Sequence, residues 1–426
     1  MGRRCRDRLR GLRARWKGGR VVVDHASEWR VILAARGGAF LMPDRIIELN
    51  RVPTDAEPAD VKLYTRYQDV GLETALPREL LFDVRITASS IDEAFGKAGV
   101  VAGGLAIMIS FAVNAYVDMP QKWIAFQNQA ALSARQYAQN YVVFETEMPH
   151  AVRAIKADLL LPYLEAVIGA AEGERLARAI TQYNLALNYW SARGRPLTLA
   201  HLYMAIEALA PAVESRLRQA AGYPSKEAHA AARGVDLTEQ NWNGLLLARI
   251  RRDEICRGDT TVYNEARKAS DGFEHGFMAY EDIRSAAEQH TEVLLGYVRD
   301  AIVDLLDLTP DQASELKDKT PVDISPFVPR IEGELVGRVL DQNTLAMPDF
   351  PFPFADFSAT LDSVQLADEQ YRIEPRSTVT MRFNDGVAFK ALRHGTDLGL
   401  NSPEALAFEP GGEQPATPDR DEPLAQ

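Results

Sequence analysis

Cysteine is nearly absent: two residues, Cys5 and Cys256, in 426. That excludes a disulfide-stapled fold and leaves no spacing for a zinc site. No His-Glu-x-x-His, no Gly-x-Ser-x-Gly and no phosphate-binding glycine loop occurs. Gly99 to Gly104 lacks a following Gly-Lys-Ser/Thr, and Gly103-Gly104 is not a dinucleotide fingerprint. No metal site and no cofactor is therefore expected. The sequence also lacks basic charge over most of its length. The net charge of −12 argues against a protein that coats nucleic acid. A reducing, cytoplasmic setting follows from the cysteine usage.

Charge is unevenly placed. Residues 1–20 hold nine basic residues against one acid, Asp7, so the other 406 residues carry −20. This stretch reads as a disordered basic arm, with RNA, DNA or an anionic surface as its functional alternative. Residues 301–426 hold 10 basic residues against 23 acidic ones, which turns that third away from polyanions. Apolar residues at 46% are ordinary for a globular chain, and 426 residues suit two or three domains.

Patterning divides the chain. Residues 21–150 read as a β-rich domain. Val21-Val22-Val23, Trp29 to Leu33, Ala39-Phe40-Leu41 and Leu80 to Thr87 are short strand-like runs, and Asn140 to Glu147 is one more. Within this domain Ser90-Ile91-Asp92-Glu93 has the form of a capping box and opens an apolar helix expected over 91–118. Its uncharged run, Ala98–Val117, is long enough to cross a bilayer, so a membrane anchor is one reading. Gly99, Gly103 and Gly104 and the polar residues within it, and strands on both sides, favour a helix buried in a core.

Residues 151–308 change period. Leu176, Ile180, Tyr183, Leu187 and Trp190 recur at helical spacing, as do Leu199, Leu202, Ile206, Leu209 and Val213. Ile283, Ala287, His290, Leu294, Val298, Ile302 and Leu305 form a third stripe. Gly194 closes the first of these helices, and Pro196 and Thr198 introduce the second. The region predicts a helical bundle. Thr309-Pro310 caps a short helix, and Pro321, Pro326 and Pro329 mark a linker. A small β unit follows over 325–408, with strands at Ile331–Val336, Val364–Leu366 and Thr378–Phe383 and a turn at Asn384-Asp385-Gly386. Phe350 to Phe354 alternates with proline, as a loop over the sheet or a docking segment. Residues 409–426 read as a disordered tail. The fold class is α+β: a central all-α bundle, an N-terminal β-rich region with one buried apolar helix, and a small C-terminal β unit.

Chemistry concentrates at Arg249-Ile-Arg-Arg-Asp-Glu-Ile-Cys-Arg257 and at Ser270-Asp-Gly-Phe-Glu-His-Gly276. With the Tyr183–Trp190 helix and Leu202-Tyr-Met-Ala-Ile-Glu-Ala-Leu209, these segments resemble the HEPN superfamily (higher eukaryotes and prokaryotes nucleotide-binding). Within it they look like the bacterial branch of ApeA-type domains and the methylamine-utilisation accessory proteins called MauJ. The resemblance covers roughly 150 residues and implies a HEPN-like bundle that dimerises. In HEPN ribonucleases an Arg and a polar residue precede a His four to six positions after the Arg. Arg252 matches the Arg, Asp253 the polar residue, and the His position falls on Arg257. An arginine binds phosphate bidentately but does not shuttle protons at neutral pH.

Candidate catalytic residues are thus Arg252, Asp253, Arg257 and His275. Candidate RNA-binding residues are Arg249, Arg251, Arg252 and Arg257, with an ordinary ion-paired helix face as the plainer alternative. His290, six residues after Arg284, has a core position on its helix stripe. Cys256 reads as a small buried residue. Three functions remain open: a non-catalytic accessory or assembly protein with a protein partner and a homodimer through the bundle, an RNA-binding or RNA-cleaving protein, and a membrane-associated protein anchored by residues 98–117.

Overall fold

The structure, a computed structural model, describes residues 26–53, 57–68, 75–128, 135–140, 153–191 and 194–322, and strands at 329–336, 354–367, 370–382, 388–396 and 399–400. Val21–Val23, residues 141–147, the 384–386 turn, Phe350–Pro353, the basic arm and the tail lie outside the described residues. The class is mixed α+β, with an antiparallel six-stranded sheet and nine α-helices among the described residues.

The N-terminal sheet comprises β1 (Ser27–Ala35), β3 (Ile47–Val52), β4 (Ala59–Gln68), β5 (Leu76–Ala88), β6 (Gln121–Gln127) and β7 (Tyr137–Gln139), in the order β3-β4-β5-β1-β6-β7. Two-residue periodicity sets its faces. Trp29, Val31 and Leu33 of β1 point inward beside Phe82, Val84 and Ile86 of β5. The opposite face carries cross-strand ion pairs, Arg30–Asp83, Lys62–Glu48 and Arg66–Glu79. The short β2 (Ala39–Phe40) leaves this sheet and pairs in parallel with β8 (Arg153–Ala154).

The apolar helix α1 (Ile91–Val113) covers the inner face of the sheet with Phe95, Ala98, Ala102, Leu105 and Ile109. It opens on Ser90, whose hydroxyl accepts from the Glu93 N–H at 3.2 Å. The Glu93 carboxylate reaches back to the Ser89 N–H at 2.9 Å, one residue earlier than a capping box requires. Hydrogen bonds from Lys97 and then Ser89 hold that carboxyl down at about 2. The helix stops at Val113, not at 118. Asn114 takes the left-handed conformation at φ 50, which Asn tolerates better than other side chains, and the chain turns away.

The bundle packs on the other side of α1: α2 (Ala157–Gly169), α3 (Gly173–Asn188), α4 (Arg195–Ala220), α5 (Lys226–Ala232), α6 (Trp242–Arg249), α7 (Thr260–His275), α8 (Tyr280–Asp304) and α9 (Pro310–Lys317). The expected stripes of α3, α4 and α8 supply its core. Gly194 precedes α4 rather than closing α3. A Cβ there would sit 2.2 Å from the Tyr189 carbonyl, and the Thr198 hydroxyl donates to that same carbonyl at 2.8 Å. Helix α9 has the full capping box, Thr309 with Gln312. The chain beyond it is no free linker as far as Val322. Val322 is buried and donates its N–H to the Asn114 carbonyl at 3.1 Å.

Beyond this, β10 (Phe354–Ala367) and β11 (Gln370–Arg382) form a hairpin that continues through β8 to β2. β9 (Pro329–Val336), β12 (Ala388–Thr396) and β13 (Gly399–Leu400) form a separate three-stranded sheet. The β unit is thus two sheets, one of which borrows strands from the N-terminal half.

Asn114 is fully buried and joins three parts of the chain. Its Oδ1 accepts from the Tyr183 hydroxyl at 2.7 Å, and its Nδ2 donates to the Lys319 carbonyl at 2.6 Å. Asn114→Ala should lower stability by about 3 kcal/mol, from left-handed strain plus two buried groups left unpaired. Asn114→Gly, free of the strain, should cost about 2 kcal/mol. Urea unfolding midpoints of the two variants check the order.

Candidate functional site

The arginine-rich segment folds as a π turn. Helix α6 continues into six residues, Ile250–Ile255, with wider winding than an α-helix, and the Cys256 N–H bonds to the Arg251 carbonyl at 2.9 Å. The exit is abrupt. Arg257 and Gly258 are both left-handed, at φ 54 and φ 77. Asp259 then caps α7 by accepting from the Val262 N–H at 3.0 Å.

This winding fans the arginines out. Arg249 turns back to the Arg233 carbonyl at the end of α5. Arg251 reaches α4, where it bonds Glu207 at 2.6 Å and lies 3.5 Å from the Tyr203 hydroxyl. Arg252 grips its own neighbour Asp253 with two bonds of 2.6 and 3.0 Å. Arg257 reaches α8, pairing with Asp300 at 2.5 Å and lying 5.9 Å over the Tyr297 ring. The Arg252 bond, reinforced by Arg233 and Arg249, holds the Asp253 carboxyl below its usual range. Burial pushes the Asp300 carboxyl up, against the pull of Arg257 and Lys317. Cys256 is buried within this turn, and its thiol is pushed up to about 12.

The histidine candidates lie elsewhere. His275 is the exposed last residue of α7. Tyr263, in the first turn of α7, is close enough to Arg252 to feel its charge. Twelve residues separate Tyr263 from His275, about 18 Å along the axis. The segment before His275 is helical, and Gly272 within it leaves room for Met278, whose Cγ and Sδ would lie 2.6 Å from a Cβ there. Gly276, at φ 68, makes the turn. His290 is half-buried on α8, and Arg284 is bonded to Glu281 and Glu288.

Sequence reasoning passed over His229. It is 2% exposed on α5, with Nδ1 2.9 Å from Glu214 Oε1 on α4. Its Nε2 accepts from Arg233 Nε at 2.9 Å, so the ring proton sits on Nδ1 and is donated to the carboxylate. Arg233 continues to Glu254 of the π turn at 2.7 Å, and Tyr223 stacks on the imidazole. The only signal in the sequence was the four-residue spacing of His229 and Arg233 after a Ser225 cap. Glu214 comes from another helix.

This arrangement fixes the π turn. It offers no free imidazole, since both nitrogens of His229 are engaged and the ring is closed to solvent. Among the described residues no group of three His, Cys, Asp or Glu side chains is placed to hold a metal. No family model, no curated protein and no solved structure matches the chain.

Breaking the buried chain should be expensive. His229→Leu removes the buried donor to Glu214, which keeps Arg218 at 3.3 Å, and leaves Arg233 with Glu254 alone, so it should cost about 2 kcal/mol. Arg257→Gly should be nearly neutral, because the left-handed strain it relieves offsets one exposed ion pair. Thermal or urea unfolding of both variants tests the contrast.

Proposed function

We propose that the chain is a non-catalytic, HEPN-like accessory or assembly protein that works through protein–protein contacts. The observation that carries this reading is that, among the described residues, no free imidazole stands at the arginine turn. Arg252 and Asp253 neutralise one another, Arg257 stands at the motif's histidine position, and the nearest imidazole in the bonded network, His229, is sealed. Transfer of the phosphoryl group from the 5′-oxygen to the 2′-hydroxyl of RNA needs a group that gains and loses a proton near neutrality.

The α7–α8 turn supports a contact role. Phe273, Phe277 and Tyr280 are 39%, 63% and 56% exposed within eight residues. Aromatic side chains crowded on one surface serve association better than solvation. A homodimer through the bundle is part of the proposal, as is a cytoplasmic location. Among the described residues two helices, α1 and α4, are long and apolar enough to cross a membrane, yet most of each is buried inside the protein. That burial favours core helices over an anchor at 98–117.

RNA binding is the second reading, and the exposure of Arg252 favours it: 38% of its side chain is open, and a phosphate could displace Asp253. Wild type, Arg252→Ala and Arg257→Ala should be compared for RNA binding and cleavage at two salt concentrations. The expected result is no cleavage and no salt-sensitive binding by any of them. Cleavage lost in Arg252→Ala would sink the non-catalytic reading. Salt-sensitive binding weakened in both variants would make the turn an RNA-binding module.

A further inference from the structure

Three cations from three separate elements converge on the end of α1. Arg299 of α8 donates to the Phe111 carbonyl at 2.8 Å, Lys319 to the Ala112 carbonyl at 3.4 Å, and Arg153 of β8 to the Val113 carbonyl at 3.0 Å. The carbonyl end of a helix carries about half a negative charge. Glu315 of α9 is 3.9 Å from Lys319 and 3.3 Å from Lys156. Among the described residues, positive charge at this point exceeds negative charge.

The donors are also in surplus. A lysine has three N–H groups and a guanidinium five. Lys319 uses one, in a long bond. The Arg299 Nη2 is buried and has no hydrogen-bond partner. Arg153 holds the Thr320 carbonyl and, through Nη2, its hydroxyl at 3.2 Å, so that hydroxyl retains its own proton to donate. Lys319 is 19% exposed and Thr320 lies at the surface, so the cluster opens to solvent on that side. Lys319 registers the crowding: burial first, then Arg299, Lys156 and Arg153, lower its ammonium to about 8 against the opposing pull of Glu315.

We propose that this junction binds a small tetrahedral oxyanion of the phosphate type, held by Lys319, Thr320 and Arg153 with the Arg299 charge behind them. The ligand supplies negative charge and close acceptors, which the buried Glu315 Oε1, 3.9 Å from Lys319 and without a hydrogen bond, does not. It also cross-links the end of α1 to the chain after α9, so binding stabilises the joint between the sheet and the bundle. The site uses none of the residues of the arginine turn, although Arg299 adjoins Asp300, the partner of Arg257, and it stands whether or not the assembly reading holds.

Thermal unfolding of the full chain tests it, with inorganic phosphate titrated against chloride at constant ionic strength and pH 7. The wild-type midpoint should rise by roughly 3 °C and saturate. Lys319→Met and Lys319→Gln should abolish the saturating rise. Sulfate, which does not titrate near neutrality, should act as phosphate does, apart from a non-saturating general rise shared by the variants. Glycerol 3-phosphate separates the sources: an equal rise assigns the site to a phosphorylated molecule, and no rise assigns it to the free ion.

The pH dependence has a fixed sign. Folded Lys319 holds fewer protons than an unfolded lysine above pH 8. Without oxyanion, wild type should therefore gain stability relative to Lys319→Met between pH 8 and 9.5, while the phosphate-dependent rise shrinks over the same window. No saturating rise at pH 7, or an equal rise in Lys319→Met, overturns the proposal.

Discussion

The structure depends on how one apolar helix ends. A helix leaves its last carbonyls unpaired, and α1 ends in the interior, where water cannot serve them. Phe111, Ala112 and Val113 receive Arg299, Lys319 and Arg153, and Asn114 receives the Val322 N–H. Arg299 is 1% exposed, with no carboxylate paired to it among the described residues. It is held by carbonyl ends of two helices, Phe111 of α1 and Leu316 of α9, and by the faces of Phe111 and Tyr183 at 4.6 and 5.9 Å. Partial charges of that kind offset a buried guanidinium only in close geometry. Sheet, bundle and the chain after α9 are therefore locked to a single point.

The arginine turn follows a different logic. An α-helix would have carried Arg249, Arg252 and Arg257 along a connected surface. The wider π winding and two left-handed residues send them to α5, to Asp253 and to α8 instead. A run that reads as a basic patch becomes a set of local ties, each bringing a neighbouring element onto the turn. The Glu214–His229–Arg233–Glu254 chain does the same, buried at Glu214 and His229 and partly open at Arg233 and Glu254.

Much of the fold was legible because it rests on periodicity. The stripes of α3, α4 and α8, the Ser90 start of α1, the Thr309 cap and strands β1, β2 and β5 are local patterns that survive into the core. Strands β3, β4 and β6 were missed, since Ile47–Val52 and Lys62–Gln68 mix charges that pair only across strands. The expected helix over 91–118 overshoots the end of α1 by five residues, because the apolar run continues to Val117. Asn114 is the stop, and its conformation is stabilised by Tyr183 and Lys319, 69 and 205 residues away. The candidate arginines were identified by type and spacing, but their partners Glu207 and Asp300 are 44 and 43 residues distant.

By itself the sequence determined composition, element type and the apolar faces, because these depend on neighbours three or four residues apart. It also carried the absences: no metal spacing and no nucleotide loop. Only the tertiary structure decided what each polar group faces. The burial of His229 and Arg299, the closing of the arginine turn and the gathering of three cations on α1 all join groups far apart in the chain. Charge acts through space and solvent exposure, and neither is written in local order.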